Sequence, residues 1–66
     1  MNPVSLVHTS VDDCRGSLRC LMTTDPAAVV TLVDQTLEYM DDFHVQQKSR
    51  RTALAIMKRH ALRLIK

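Results

Sequence analysis

Apolar residues recur along this chain at helical intervals in three separate stretches. In the first, Val11, Cys14, Leu18 and Leu21 follow one another at i, i+3, i+7 and i+10, while Asp12, Arg15 and Arg19 turn away. That spacing marks one buried stripe of an amphipathic helix. Ser10, followed three residues later by Asp13, resembles a capping box with Asp in place of the usual Glu or Gln. The first predicted helix therefore spans about 10–22, with Gly16 inside it weakening it by about 1 kcal/mol relative to Ala. The second stretch opens on Thr23-Thr24-Asp25-Pro26. Asp25 can accept from the free amides of the next turn, and Pro26 suits the first helical position because its missing N–H has no partner there anyway. Val30, Val33, Leu37 and Met40 form the stripe of this second helix, predicted over about 26–41, and Val29 and Leu32 widen it. The third stripe is Leu54, Met57, Ala61, Leu64 and Ile65.

No Gly or Pro occurs between Ala27 and Lys66, so where the second helix ends has to be argued from geometry. Leu54 lies 24 residues after Val30, and at about 100° per residue that rotates the face by about 240°. A straight rod would point its two stripes about 120° apart. Either the helix breaks near Asp41–His44, or it continues and serves two surfaces. The helix dipole favours the break. Asp41 and Asp42 sit poorly at a helix C-terminus and well at an N-terminus, where Asp42 would cap a third helix over about 43–65. The fold class expected is all-α, with three helices in a single domain over 10–66 and residues 1–9, which hold Pro3 and no clear period, as a flexible arm. A continuous second and third helix stands as the alternative.

Size changes the picture next. A chain of 66 residues with one Gly, two Pro and no Trp buries only about 60% of its unfolded surface. Chains this short usually draw on disulfides, a metal or oligomerisation. Cys14 and Cys20, six residues apart, read as small buried apolar residues rather than a staple, and two unpaired thiols suit a reducing compartment. His8, His44 and His60 share no tight metal-ligand spacing with them or with each other. Self-association is then the expected source of extra burial. A helical homodimer would use Val30, Val33, Leu37 and Met40, with the Tyr39/Phe43 pair closing the seam. No secretory signal or membrane-spanning run is visible, and the expected location is the cytoplasm.

Charge narrows the function class. Residues 1–42 hold seven acids (Asp12, Asp13, Asp25, Asp34, Glu38, Asp41, Asp42) against Arg15 and Arg19, a net of −5. Residues 43–66 hold Lys48, Arg50, Arg51, Lys58, Arg59, Arg63 and Lys66 and no acid, a net of +7. A division of this kind belongs to interaction proteins. No Gly-rich phosphate loop, nucleophile–base constellation or paired buried carboxylates can be argued, so no enzymatic activity and no cofactor are expected. Membrane-surface binding needs aromatic anchors, and residues 44–66 have none. Gln46, Gln47, Arg50 and Arg51 are the side chains able to read base edges, which keeps DNA binding as the alternative. A basic amphipathic helix seated in a partner's groove fits the pattern better. Its apolar anchors would be Leu54, Met57, Ala61, Leu64 and Ile65, framed by Arg51, Lys58, Arg59 and Arg63.

The run His44-Val45-Gln46-Gln47-Lys48-Ser49-Arg50-Arg51-Thr52-Ala53-Leu54-Ala55-Ile56-Met57-Lys58-Arg59-His60-Ala61-Leu62, set behind an acidic helical half, resembles the AraC negative regulator family of enteric bacteria. The likeness covers Ser10–Lys66 and lies in length, charge layout and helical pattern rather than in a signature motif. Small early proteins of temperate phages share it. The resemblance implies a negative regulator of transcription, acting on virulence genes, that binds an AraC-type activator directly and blocks its dimerisation or DNA engagement. A nucleoid protein is a further partner it implies. The alternative is a small DNA-binding or phage-type accessory regulator using the basic C-terminal helix.

Overall fold

The computed structural model describes residues 2–65 and consists, over those residues, of four helices: α1 (Pro3–Val7), α2 (Val11–Met22), α3 (Pro26–Asp42) and α4 (Lys48–Leu64). Its extents of 33 × 19 × 18 Å are two helix diameters in the short directions. The arrangement is thus two layers of helices sharing one core. α3 and α4 form the principal pair, α2 packs on both, and α1 lies on α3.

The fourth helix corrects the three-helix expectation. Residues 1–9 were expected to be an arm outside the domain, yet Pro3–Val7 is helical and buries Leu6 and Val7. The cause is local and legible. Asn2 Oδ1 accepts from the Ser5 amide at 2.8 Å and Pro3 takes the first helical position, which is the same arrangement as Asp25–Pro26, where Asp25 Oδ1 accepts from the Ala28 amide at 3.1 Å. A single turn has too few internal bonds to repay nucleation, so tertiary contacts must hold it. Two do so: the burial of Leu6 and Val7, and the side chain of Arg50.

Arg50 is 6% exposed and lies inside the bundle. Its guanidinium donates to the Leu6 carbonyl and to the Thr9 carbonyl, each at 2.6 Å, while its Nε donates to Gln47 Oε1 at 2.6 Å. Carbonyls at the end of a helix have no partner within it, and here a side chain from α4 supplies one across 44 residues of sequence. All three acceptors are neutral.

α2 follows its pattern closely. Ser10 Oγ accepts from the Asp13 amide at 3.0 Å, and Asp13 in turn accepts from the Thr9 hydroxyl at 3.5 Å rather than closing the box on Ser10. Cys14, Leu18 and Met22 are buried. Cys20, expected to be buried as well, is exposed on the far side of the helix, and both thiols are free. Burial raises the Cys14 thiol above its ordinary value of 9.0, and the nearby Arg50 charge opposes that rise.

α3 and α4 are separate helices, as the dipole reasoning favoured, but not for the reason it gave. Asp41 and Asp42 lie in the last turn of α3, and residues 43–47 are non-helical, so α4 starts five residues later than expected and Asp42 does not cap it. His44 stops α3 instead. It adopts φ 56°, the left-handed conformation, and lets the Val45 amide reach the Met40 carbonyl at 2.7 Å and the His44 amide reach Asp41 at 3.2 Å. These are the two crossed bonds of a Schellman cap, with histidine in the place usually held by glycine. Val45, the residue after it, packs on the core. Asp41 at the unfavourable end of α3 is compensated by Arg51, at 2.8 Å. The Arg51 guanidinium also donates to the Val45 and Gln46 carbonyls at 2.7 and 3.1 Å, pinning the connector. Because the chain turns here, the stripes of α3 and α4 meet face to face in a single core.

Three outcomes test this account. Replacing Gly16, where an added Cβ meets nothing within 4 Å, by Ala raises stability by about 1 kcal/mol in urea denaturation; a loss would mean the helix path is wrong there. Arg50→Met costs about 1–3 kcal/mol, the usual penalty for stranded buried acceptors, and hydrogen exchange of the Leu6 and His8 amides accelerates well beyond the global change. Unchanged relative protection there would show that α1 does not depend on the clamp. Because the folded Cys14 thiol titrates above its unfolded value, its contribution is complete below about pH 9 and is lost as pH rises past it. Wild type should therefore lose stability relative to Cys14→Ala on the alkaline side and on no other.

Candidate functional site

The residues expected to meet a partner divide into two groups. Leu54, Met57 and Ala61 are 0%, 3% and 0% exposed. They are the core of the single chain and are not available as anchors in a partner's groove. Val33 and Met40, expected in a dimer seam, are likewise fully buried, and Val30, Leu37 and Tyr39 are half-buried against the same core. The reason is common to all of them. With α1 supplying extra apolar surface and α4 folding back on α3, the stripes find their partners within one chain. Of the six seam residues only Phe43 is well exposed, at 65%, with its ring 4.6 Å from that of Tyr39.

The basic residues of α4 are sorted in the same way. Arg50 is inside the bundle. Arg51 meets Asp41, and Lys58 meets Asp34 at 2.7 Å. These two ion pairs join α4 to the acidic side of α3, so part of the positive charge of the second half is answered by the first half. Both pairs are open to solvent on the acidic side and half-buried on the basic side, and as ion pairs they contribute little to stability, in the range of about 0–1 kcal/mol each. What they set is which way α4 turns its remaining charge.

That remainder lies on the outer side of α4. Lys48, Arg59 and Arg63 are exposed and, among the described residues, engage no acid; Lys66 lies outside the described residues. Thr52, Ile56, Arg59 and Arg63 follow at i, i+4, i+7 and i+11 on one face, with Leu62 beside Arg59. Ile56 and Leu62 are 46% and 50% exposed, and Leu64 and Ile65 continue the apolar character beyond the core at 59% and 40%. Arg15 of α2 faces Lys48 and Ile56 across a shallow groove between the two helices. The site is therefore a strip of cations interleaved with aliphatic side chains. Its apolar members are Ile56 and Leu62; the expected Leu64 and Ile65 are exposed where the buried stripe of α4 runs out, off this face. The helical period shows which residues share that face; it does not show which face the core takes, and Ile56 and Leu62 were missed for that reason.

The base-reading set is dispersed by the same geometry. Arg50 is buried, Gln47 is held by Arg50, and Arg51 is engaged with Asp41 and two carbonyls. Among the described residues no three His, Cys, Asp or Glu side chains come together as a metal site, and no helix is long and apolar enough to cross a membrane.

The roles of Arg51 and Lys58 differ measurably. Arg51→Ala removes an ion pair and two hydrogen bonds to carbonyls and should cost about 1–2 kcal/mol, against at most about 0.5 for Lys58→Ala. Equal losses in thermal or urea unfolding would mean that the connector is not pinned by Arg51. The chain matches no protein-family model, no curated protein and no solved structure.

Proposed function

We propose that this chain is a small, non-enzymatic negative regulator of transcription that captures an activator of the AraC type through the outer face of α4 and blocks its dimerisation or DNA engagement. The observation that carries this reading is the composition of that face: Lys48, Arg59 and Arg63 interleaved with exposed Ile56 and Leu62, on a helix that contains no acid. Exposed cations steer the encounter with an acidic-rimmed surface, while aliphatic side chains between them supply the desolvated contact that holds it. Protein–DNA interfaces are more polar than this, and of the four side chains suited to base edges Gln47, Arg50 and Arg51 are engaged within the fold. The anchors on this face are Ile56 and Leu62, in place of the buried Leu54, Met57 and Ala61, with Leu64 and Ile65 exposed at the end of the helix beside it.

The test uses the full chain with an AraC-type activator from the same host, measured by direct binding and by a reporter under that activator. Arg59→Glu/Arg63→Glu and Ile56→Ser should each weaken capture by about tenfold or more, equivalent to ~1.4 kcal/mol, and restore reporter output, with the helical spectrum unchanged. If instead the chain alone binds duplex DNA with a steep salt dependence that Arg59→Glu/Arg63→Glu flattens by about one unit of slope for each phosphate no longer neutralised, the protein is a DNA-binding regulator and the activator reading falls.

A further inference from the structure

Phe43 and Val4 are large apolar side chains left at the surface beside Glu38 and Asp42 of α3. Phe43 is one of only two aromatic residues in the chain, and it is 65% exposed; Val4 is 47% exposed. The Phe43 ring stacks on Tyr39 at 4.6 Å, and Tyr39 lines a shallow groove with Pro3 and Val4 of α1 and with Glu38 and Asp42 of α3. The backbone under Phe43 is fixed, because its amide donates to the Tyr39 carbonyl at 3.1 Å and it immediately precedes the capped His44. A rigidly presented aromatic loses little freedom on being covered. Among the described residues, Glu38 and Asp42 engage no cation, whereas the neighbouring Asp34 and Asp41 do.

We propose that this patch is a docking surface for a second copy of the chain, and that its occupant is the outer face of α4 of that copy. The complementarity is on both molecules. One side offers Val4, Tyr39 and Phe43 rimmed by Glu38 and Asp42; the other offers Ile56 and Leu62 flanking Arg59, with Arg63 one turn on. Arginine over an exposed aromatic face adds a cation–π contribution. A self-complementary arrangement is disfavoured by charge, since patch on patch sets Glu38 and Asp42 against themselves and α4 on α4 does the same with Arg59 and Arg63. The contact therefore joins different faces of the two copies, either reciprocally in a two-fold dimer or head to tail in a ring or chain. The proposal uses the same α4 face as the capture of an activator, so self-association and partner capture exclude one another, and the acidic patch stands in for the partner's surface.

Sedimentation velocity of the full chain at low salt, with a concentration series, tests this. Wild type should show a faster-sedimenting species that salt dissolves. Glu38→Lys/Asp42→Lys and Arg59→Glu/Arg63→Glu should each be monomeric alone, because each has lost one of the two unlike faces. Mixed, they should recover a complex, and the fourfold variant carrying both reversals in one chain should associate by itself. A monomeric wild type, a mixture of the two variants that fails to associate, or a fourfold variant that stays monomeric would overturn the contact between unlike faces. Phe43→Ser separates this inference from the function proposed above. It should abolish self-association while leaving activator capture at or above the wild-type level; loss of capture with self-association intact would mean that the patch serves the partner and not a second copy.

Discussion

A single guanidinium in the interior organises this small fold. Arg50 enters the bundle from the first turn of α4 and satisfies the carbonyls of Leu6 and Thr9 with no carboxylate beside it. Burying an unpaired charge is expensive, and the arrangement persists because every N–H aimed inward meets an acceptor: the carbonyl of Leu6 in the last turn of α1, the carbonyl of Thr9 in the connector to α2, and Gln47 Oε1. Everything around Arg50 depends on that match. α1 is too short to stand alone and keeps its shape because α4 completes it. Leu6 and Val7, held in place by it, are part of the core that lets α3 and α4 close on one another.

The division of charge along the chain acquires a different meaning once the chain is folded. Two of the acids of α3 face two cations of α4, so the halves partly neutralise each other along the α3–α4 boundary. The residual field is then one of sides rather than of halves. Lys48, Arg59 and Arg63 lie exposed on α4, Glu38 and Asp42 lie exposed on α3, and α2 carries both signs, with Arg15 exposed near Asp12 and Asp13. A small net charge of +2 thus conceals a molecule with two unlike faces, and faces of this kind act on encounter rate and orientation more than on stability.

Much of the fold is legible in the sequence, and the exceptions have specific causes. The stripes of α2, α3 and α4 announce themselves through the 3.6-residue period, and Asp25–Pro26 marks its helix start directly. Asn2–Pro3 carries the same signal. It is obscured because the apolar run after it is one turn long, too short for periodicity to register. The stop at His44 is obscured because residues other than glycine adopt the left-handed conformation only occasionally. For Arg50 no pattern would suffice. On a helical wheel a buried arginine and a surface arginine look alike, and only the arrival of α1 from a distant part of the chain separates them. The candidate site inherits that ambiguity: with the depth of the core unknown, Leu54 and Met57 compete with Ile56 and Leu62 for the same role.

The clamp also orders events in time. Its donor and its acceptors are 44 and 41 residues apart, so during synthesis from the N-terminus α1 can meet α3 but stays unclamped until Arg50 has left the ribosome. Up to that point the apolar residues of α3 that face α4 stay uncovered. An interrupted product ending before α4 would present those apolar residues and the stranded carbonyls of Leu6 and Thr9 to proteases and chaperones. The beginning of the chain thereby reports whether its fourth helix has been made.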